Sequence, residues 1–94
     1  MNLQSPEEMR LELAHMIKAA REREGWTQVE TARRAGLSER TFRILESTGQ
    51  GSILNLLKIV GILGDYGALR KIFPESPYLT LDQIQNEAKR NTRK

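Results

Sequence analysis

The sequence predicts an all-α domain of five helices with a short C-terminal helix or tail. Three observations carry this expectation. Apolar residues recur at helical spacing along most of the chain, and no stretch alternates as a strand would. Ser or Thr precedes the helical stretches, and at Ser5, Thr27 and Thr80 a Glu or Gln follows at the third position, the pattern of a capping box. Glycine closes several stretches, at Gly25, Gly36 and Gly64.

Taken in order, Ser5-Pro6-Glu7-Glu8 opens a first helix, with proline suited to the first turn. Met9, Leu13, Met16, Ile17 and Ala20 give it an apolar side, and Gly25 stops it. Thr27-Gln28-Val29-Glu30 opens a short second helix that turns Ala32 and Ala35 inward and ends at Gly36. Ser38 caps a third, whose apolar face is Phe42 and Leu45. The segment "STGQGS" reads as a loop. Ser52 opens a fourth helix with a buried stripe of Ile53, Leu56, Leu57, Val60 and Leu63; Ile59 and Ile62 extend its apolar character beyond that stripe. "DYGALRKIF" is expected to form a short fifth helix ending before Pro74. A domain over 1–73 is thus followed by an extension over 74–94. There "PESPYL" connects to a last helix with Leu81, Ile84 and Ala88 on one side, and the chain ends in the basic tail "KRNTRK".

Composition narrows the chemistry. The 94 residues contain no cysteine and one histidine, so neither a disulfide framework nor a zinc–thiolate site can form. There is no glycine-rich phosphate loop and no cluster of carboxylates. An active site with convergent acid and base groups is hard to build from this inventory, so no enzyme activity, metal or cofactor is expected. The most apolar run, "SILNLLKIVGILG", is broken by Asn55 and Lys58 and is too short to cross a bilayer. The start, "MNLQSPEEMR", lacks the basic-then-apolar pattern of a signal peptide, so a cytoplasmic location is expected. Net charge is +3, a slight bias towards a polyanionic partner. So short a chain buries a small core, which favours association with a second copy.

The segment "GLSERTFRILE" over 36–46 concentrates the functional signal. A tight turn at Ala35-Gly36-Leu37 between crossing helices needs one residue at positive φ, which glycine supplies without a Cβ clash. Ala32, small, lets the two helices approach. Leu37, Phe42 and Leu45 bury the back of the third helix, which leaves Glu39, Arg40, Arg43 and Ile44 on its front.

"WTQVETARRAGLSERTFRILE" resembles the helix-turn-helix of the Xre/Cro/C1 family of bacterial and phage repressors, through Gln28, Ala32, Gly36, Ser38, Thr41, Phe42, Leu45 and Glu46 at that family's spacing. The resemblance covers about residues 9–70 and includes "SILNLLKIVGILG" as the family's Leu-rich fourth helix. Thr31 and Ala35 stand where larger aliphatics are usual, and Ile44 where many members carry a polar residue. A narrower likeness, carried by "ALRKIFPESPYLTLD" and the basic tail, is to antitoxin-type regulators that accompany HipA-like kinase toxins.

The resemblance implies a five-helix lambda-repressor-like DNA-binding domain whose third helix enters the major groove. Carried over by position, Glu39, Arg40 and Ile44 read bases, with Arg43 at the edge of that face. Arginine can bind guanine O6 and N7, a glutamate can accept from cytosine N4, and an apolar side chain can meet a thymine methyl. Glu39 and Arg43 are equally well spaced for a plain surface ion pair. Thr27, Gln28 and Ser38 at helix starts are candidates for phosphate contact, as is Ser52, since helix N-termini favour anions; capping alone also accounts for the hydroxyls. Arg33 and Arg34 are expected to form a solvated face or peripheral phosphate contacts, not to read bases. Trp26 is expected to pack between the first two helices, His15 to be structural or exposed, and Glu46 to make an internal polar contact. For Lys89, Arg90, Arg93 and Lys94, nonspecific DNA contact, folding onto a toxin and solubility all stand open.

The function so implied is a sequence-specific repressor acting as a homodimer on double-stranded DNA at an inverted-repeat operator, with a dimer surface in "IVGILGDYGALRKIF", with or without the last helix. The alternative is an antitoxin that neutralises a HipA-like kinase toxin by direct binding and autoregulates its operon.

Overall fold

The computed structural model describes residues 4–73 and Gln85. Over 4–73 the chain forms five helices and no strand: α1 (Pro6–Glu24), α2 (Gln28–Ala35), α3 (Glu39–Thr48), α4 (Ile53–Leu63) and α5 (Tyr66–Leu69). This is the all-α, five-helix domain expected. The connector 74–79, the last helix with Leu81, Ile84 and Ala88, and the basic tail lie outside the described residues, Gln85 apart.

Local chemistry sets the boundaries. At α1 the capping box is complete: the Glu8 N–H donates to Ser5 Oγ at 3.1 Å, and the Ser5 N–H donates to Glu8 Oε1 at 2.9 Å. That contact holds the Glu8 carboxyl below its ordinary range, through the Ser5 N–H first and the Ser5 hydroxyl second. At α2 only half a box forms. The Glu30 N–H donates to Thr27 Oγ1, but the Glu30 carboxylate turns along the helix to Arg33 and Arg34 instead of back to Thr27. Gly36 ends α2 at φ 73°. A Cβ there would meet no atom within 4 Å, so the left-handed backbone, not crowding, is what requires glycine. The reversal is held by the Leu37 N–H donating to the Ala32 carbonyl at 2.8 Å.

α3 runs further than expected. Ser47 and Thr48, read as loop, are its last turn, and their hydroxyls donate to the carbonyls of Arg43 and Ile44. The helix stops at Gly49, where two constraints coincide: φ is 75°, and a Cβ would collide with the backbone carbonyl of Arg10. Arg10 also donates to the Thr48 carbonyl, which ties the end of α3 to α1.

The core is Ile17, Ala32, Ala35, Phe42, Leu45 and Ile59, with Leu37, Leu56, Ile62 and Leu63 packed against it. α1 and α2 both lie against α3, and α4 closes the base. Phe42 is fully buried at the centre. Burying a phenylalanine this completely contributes on the order of 3 kcal/mol.

Two expected stripes shift. On α1, Met9 and Met16 are exposed, and the buried line is Ala14 and Ile17, continued by Arg21. An arginine on that line interrupts the apolar pattern, so periodicity moved the stripe sideways. On α4, Ile53 is 77 % exposed and Ile59 is 1 % exposed, so the buried side is Leu56, Ile59, Ile62 and Leu63. α4 is apolar nearly all round, and contact with α1 and α2 decides which side is covered. Trp26 is half-buried rather than central: the Arg34 guanidinium lies 4.2 Å from its ring centroid, and Arg21 donates to its carbonyl. α5 is capped by Asp65 and fastened by the Tyr66 hydroxyl donating to the Leu57 carbonyl at 2.9 Å. No helix among the described residues is long and apolar enough to cross a membrane.

Candidate nucleic-acid interface

α3 has two chemically opposite sides. Phe42, Leu45 and Glu46 are buried against the other helices, which fixes the rotation of the helix about its axis. Glu39, Arg40, Arg43 and Ile44, offset from them by the helical repeat, are all exposed. With Ser47 they line one open concavity of about 500 Å³. The expected base-reading residues are therefore brought together on one surface. Ser47 was missed as part of it because "STGQGS" reads as loop; its spacing from Arg43 and Ile44, together with Gly49 as a stop signal, is the sequence clue that it belongs to the helix.

Charge on this surface is unequally committed. Arg43 and Glu39 form an ion pair across one turn of the helix. Arg40 has no hydrogen-bond or ion-pair partner among the described residues. Ile44, 39 % exposed, offers apolar surface beside it. The front of α3 thus presents an uncommitted guanidinium, an apolar side chain and a self-neutralised pair.

The back of α3 holds a second pair of different character. The Glu46 carboxylate accepts from Arg21 Nε at 2.6 Å, Arg21 Nη2 at 3.1 Å and Gln28 Nε2 at 2.8 Å. Side-chain exposure is 12 % for Arg21 and 4 % for Glu46. The Glu46 hydrogen bonds raise the Arg21 pKa further above its ordinary value, against the opposing effect of burial. One carboxylate so joins α1, the start of α2 and the end of α3. The internal contact expected for Glu46 is present; its partner Arg21 was not foreseen.

The remaining predicted residues are distributed as follows. Thr27, Ser38 and Ser52 are N-caps of α2, α3 and α4, and the hydroxyl of each accepts a backbone N–H from the third residue on. Ser38 Oγ also donates to Thr41 Oγ1. Gln28 begins α2 with its amide turned towards Glu46; the second proton of its Nε2 is not used by that bond. Arg33 is exposed and donates to both oxygens of Glu30, while Arg34 donates to one. Thr27, Gln28, Ser38, Arg33 and Ser52 do not line the concavity on α3, so a ligand there would meet them only at its margins. His15 is exposed on α1, and no group of three or more His, Asp or Glu among the described residues could hold a metal ion.

Comparison with protein-family models, with curated proteins and with solved structures found no match to the chain.

Proposed function

We propose that this protein is a sequence-specific DNA-binding repressor of the helix-turn-helix type, acting in the cytoplasm as a homodimer on an inverted repeat. The observation that carries the reading is the division of α3: a buried back of Phe42, Leu45 and Glu46, and an exposed front whose four polar and apolar readers share one surface with Arg40 uncommitted. A rigid helix with that front can enter a major groove, which admits an α-helix and displays the donor and acceptor pattern of each base pair. Arg40 is the guanine reader and Ile44 the thymine-methyl contact. The N-caps of α2 and α4 and the second Nε2 proton of Gln28 would meet backbone phosphates flanking that groove.

One recognition helix reads too few base pairs to single out an operator. Two copies related by a two-fold axis engage half-sites about one helical turn apart, roughly 34 Å. The exposed Tyr66, Ile72 and Phe73 in the stretch after α4 support that stretch as the contact between copies. The residues of the narrower likeness to kinase-associated antitoxins lie mostly outside the described residues, and no contact on the surface favours that role over DNA binding.

Selection of bound sequences from random duplex DNA tests the proposal. The expected result is an enriched inverted repeat with guanine in each half-site. In mobility shifts, Arg40→Ala should lose about 1–3 kcal/mol of discrimination at that guanine. Gln28→Ala should weaken all sequences alike. Equal affinity of the wild type for enriched and scrambled duplexes would overturn the reading.

A further inference from the structure

Helices α2 and α3 carry four arginines on their exposed surfaces: Arg33, Arg34, Arg40 and Arg43. Three of them are paired with carboxylates of their own helix, two of them sharing one carboxylate. Glu30 holds Arg33 and Arg34, and Glu39 holds Arg43. Only the Glu39–Arg43 pair lies on the surface that would face bases. We propose that Glu39 is a specificity filter: an internal counterion that withholds Arg43 from phosphates on arbitrary DNA and releases it where a cytosine amino group takes its place. This inference rests on the DNA-binding reading above and adds a mechanism for discrimination at that site.

Arg43 has competing partners. A guanidinium gains affinity for any duplex by meeting a phosphate, because phosphates carry no sequence information. Arg43 can do so only by leaving Glu39. The carboxylate, exposed on the same surface, is then carried into the negative field of the duplex without a donor. Guanine and thymine edges in the major groove give it no donor, and the adenine N6 amino group stands beside its own N7 acceptor. Guanine presents acceptors, and thymine an acceptor and a methyl; cytosine presents an N4 amino donor free of an adjacent acceptor on the same base. At a cytosine the exchange is balanced, with Glu39 accepting from N4 and Arg43 free to reach a neighbouring phosphate or guanine. Elsewhere the pair stays closed and Arg43 adds little. Arg40, with no counterion among the described residues, needs no such release.

The test uses the full chain and three substitutions: Glu39→Gln, Glu39→Gln with Arg43→Gln, and Glu7→Gln. Glu7 is an exposed carboxylate at the start of α1 and controls for net charge alone. Affinity for a random-sequence duplex and for the best selected duplex is measured by fluorescence anisotropy over a range of salt concentrations. Melting curves followed by circular dichroism verify that each variant is folded. Glu39→Gln should bind the random duplex several-fold more tightly, with a salt slope steeper by about 0.9, the value for one added phosphate contact. Its preference for the selected duplex over the random one should fall, and selection with this variant should lose cytosine at one position of each half-site. The double substitution should return the random-duplex affinity and slope to wild-type values, and Glu7→Gln should leave the slope unchanged. A Glu39→Gln slope equal to wild type, or an equal rise in Glu7→Gln, would overturn the filter while leaving the DNA reading intact. Failure of the wild type to prefer any selected duplex would overturn both.

Discussion

Glu39 and Glu46 stand two helical turns apart on α3, and each holds an arginine, yet the two pairs do different work. Glu46 is buried, accepts three hydrogen bonds and joins three helices. Glu39 is exposed and joins one turn of its own helix to the next. Burial sets the difference. In the interior an ion pair cannot exchange its partner for water, so breaking it strands a charge. At the surface water and salt replace either partner at little cost, and the pair is available for exchange with a ligand. The buried pair therefore fixes where α3 points, and the exposed pair is free to exchange a partner.

The sharpest test of this contrast is Glu46→Ala. It leaves the Arg21 guanidinium and the Gln28 amide without their acceptor inside the fold, and should cost about 3–5 kcal/mol in urea unfolding. Replacing Arg21 and Glu46 together by methionine and leucine should recover most of that loss, since an apolar pair of similar volume can serve a buried site as well as an ion pair does. A loss below about 1 kcal/mol for Glu46→Ala, the range of surface pairs, would place the Glu46–Arg21 pair with the exposed ones.

The same contrast explains what could be read from the chain. The front of α3 was legible because Phe42 and Leu45 fix the buried side, and Glu39, Arg40, Arg43 and Ile44 then fall opposite by helical geometry. Helix starts were legible at Ser5, Thr27, Ser38 and Ser52 because capping is a local interaction. Arg21 was not, because its burial depends on a carboxylate 25 residues away, which no local pattern encodes. The half-formed box at Thr27 failed for a related reason: Glu30 had two arginines within reach as well as its own N-cap. On α4 the apolar residues outnumber the positions the core can cover, so periodicity alone placed Leu56 and Leu63 correctly but put the exposed Ile53 in the stripe and left Ile59 and Ile62 outside it. The division into base readers and phosphate contacts came from family likeness; the geometry gathers Glu39, Arg40, Arg43 and Ile44 on one surface and leaves Thr27, Gln28, Ser38, Arg33 and Ser52 off it.

Between the extremes lies Ser38, exposed like Glu39 but bonded to the backbone. Its Oγ accepts the Thr41 N–H at 3.1 Å. Ser38→Ala should cost about 1 kcal/mol by thermal unfolding, as for other N-caps, and Ser38→Gly only a few tenths. Equal losses for the two would mean that something other than the cap is removed. Below it comes Glu39→Ala, expected to cost about 0.2–0.5 kcal/mol at low salt and less as salt is added. A loss above 1 kcal/mol at any salt would show Glu39 to be part of the scaffold, contrary to its exposure.

The smallest expected effect is on acid titration, and it concerns Glu30, the half-buried carboxylate that holds two arginines on α2. Hydrogen bonds from Arg33, and secondarily from Arg34, keep the Glu30 carboxyl below its ordinary range, with burial opposing them. A carboxyl whose folded pKa is depressed stabilises the fold fully above its unfolded pKa of about 4.3, and that contribution is lost as pH falls through the lower folded value. Side-chain carboxyl shifts followed by NMR should therefore place the Glu30 midpoint below that of an unstructured glutamate. Arg33→Gln should raise it more than Arg34→Gln, because Arg33 donates to both carboxylate oxygens, at 2.7 and 2.6 Å, whereas Arg34 donates to one and rests against Trp26. A midpoint that moves in neither variant would mean that exposed pairs on these helices are too transient in solution to hold a charge. The Glu39–Arg43 pair is built on the same one-turn spacing, so it would then have no means of withholding Arg43 from DNA.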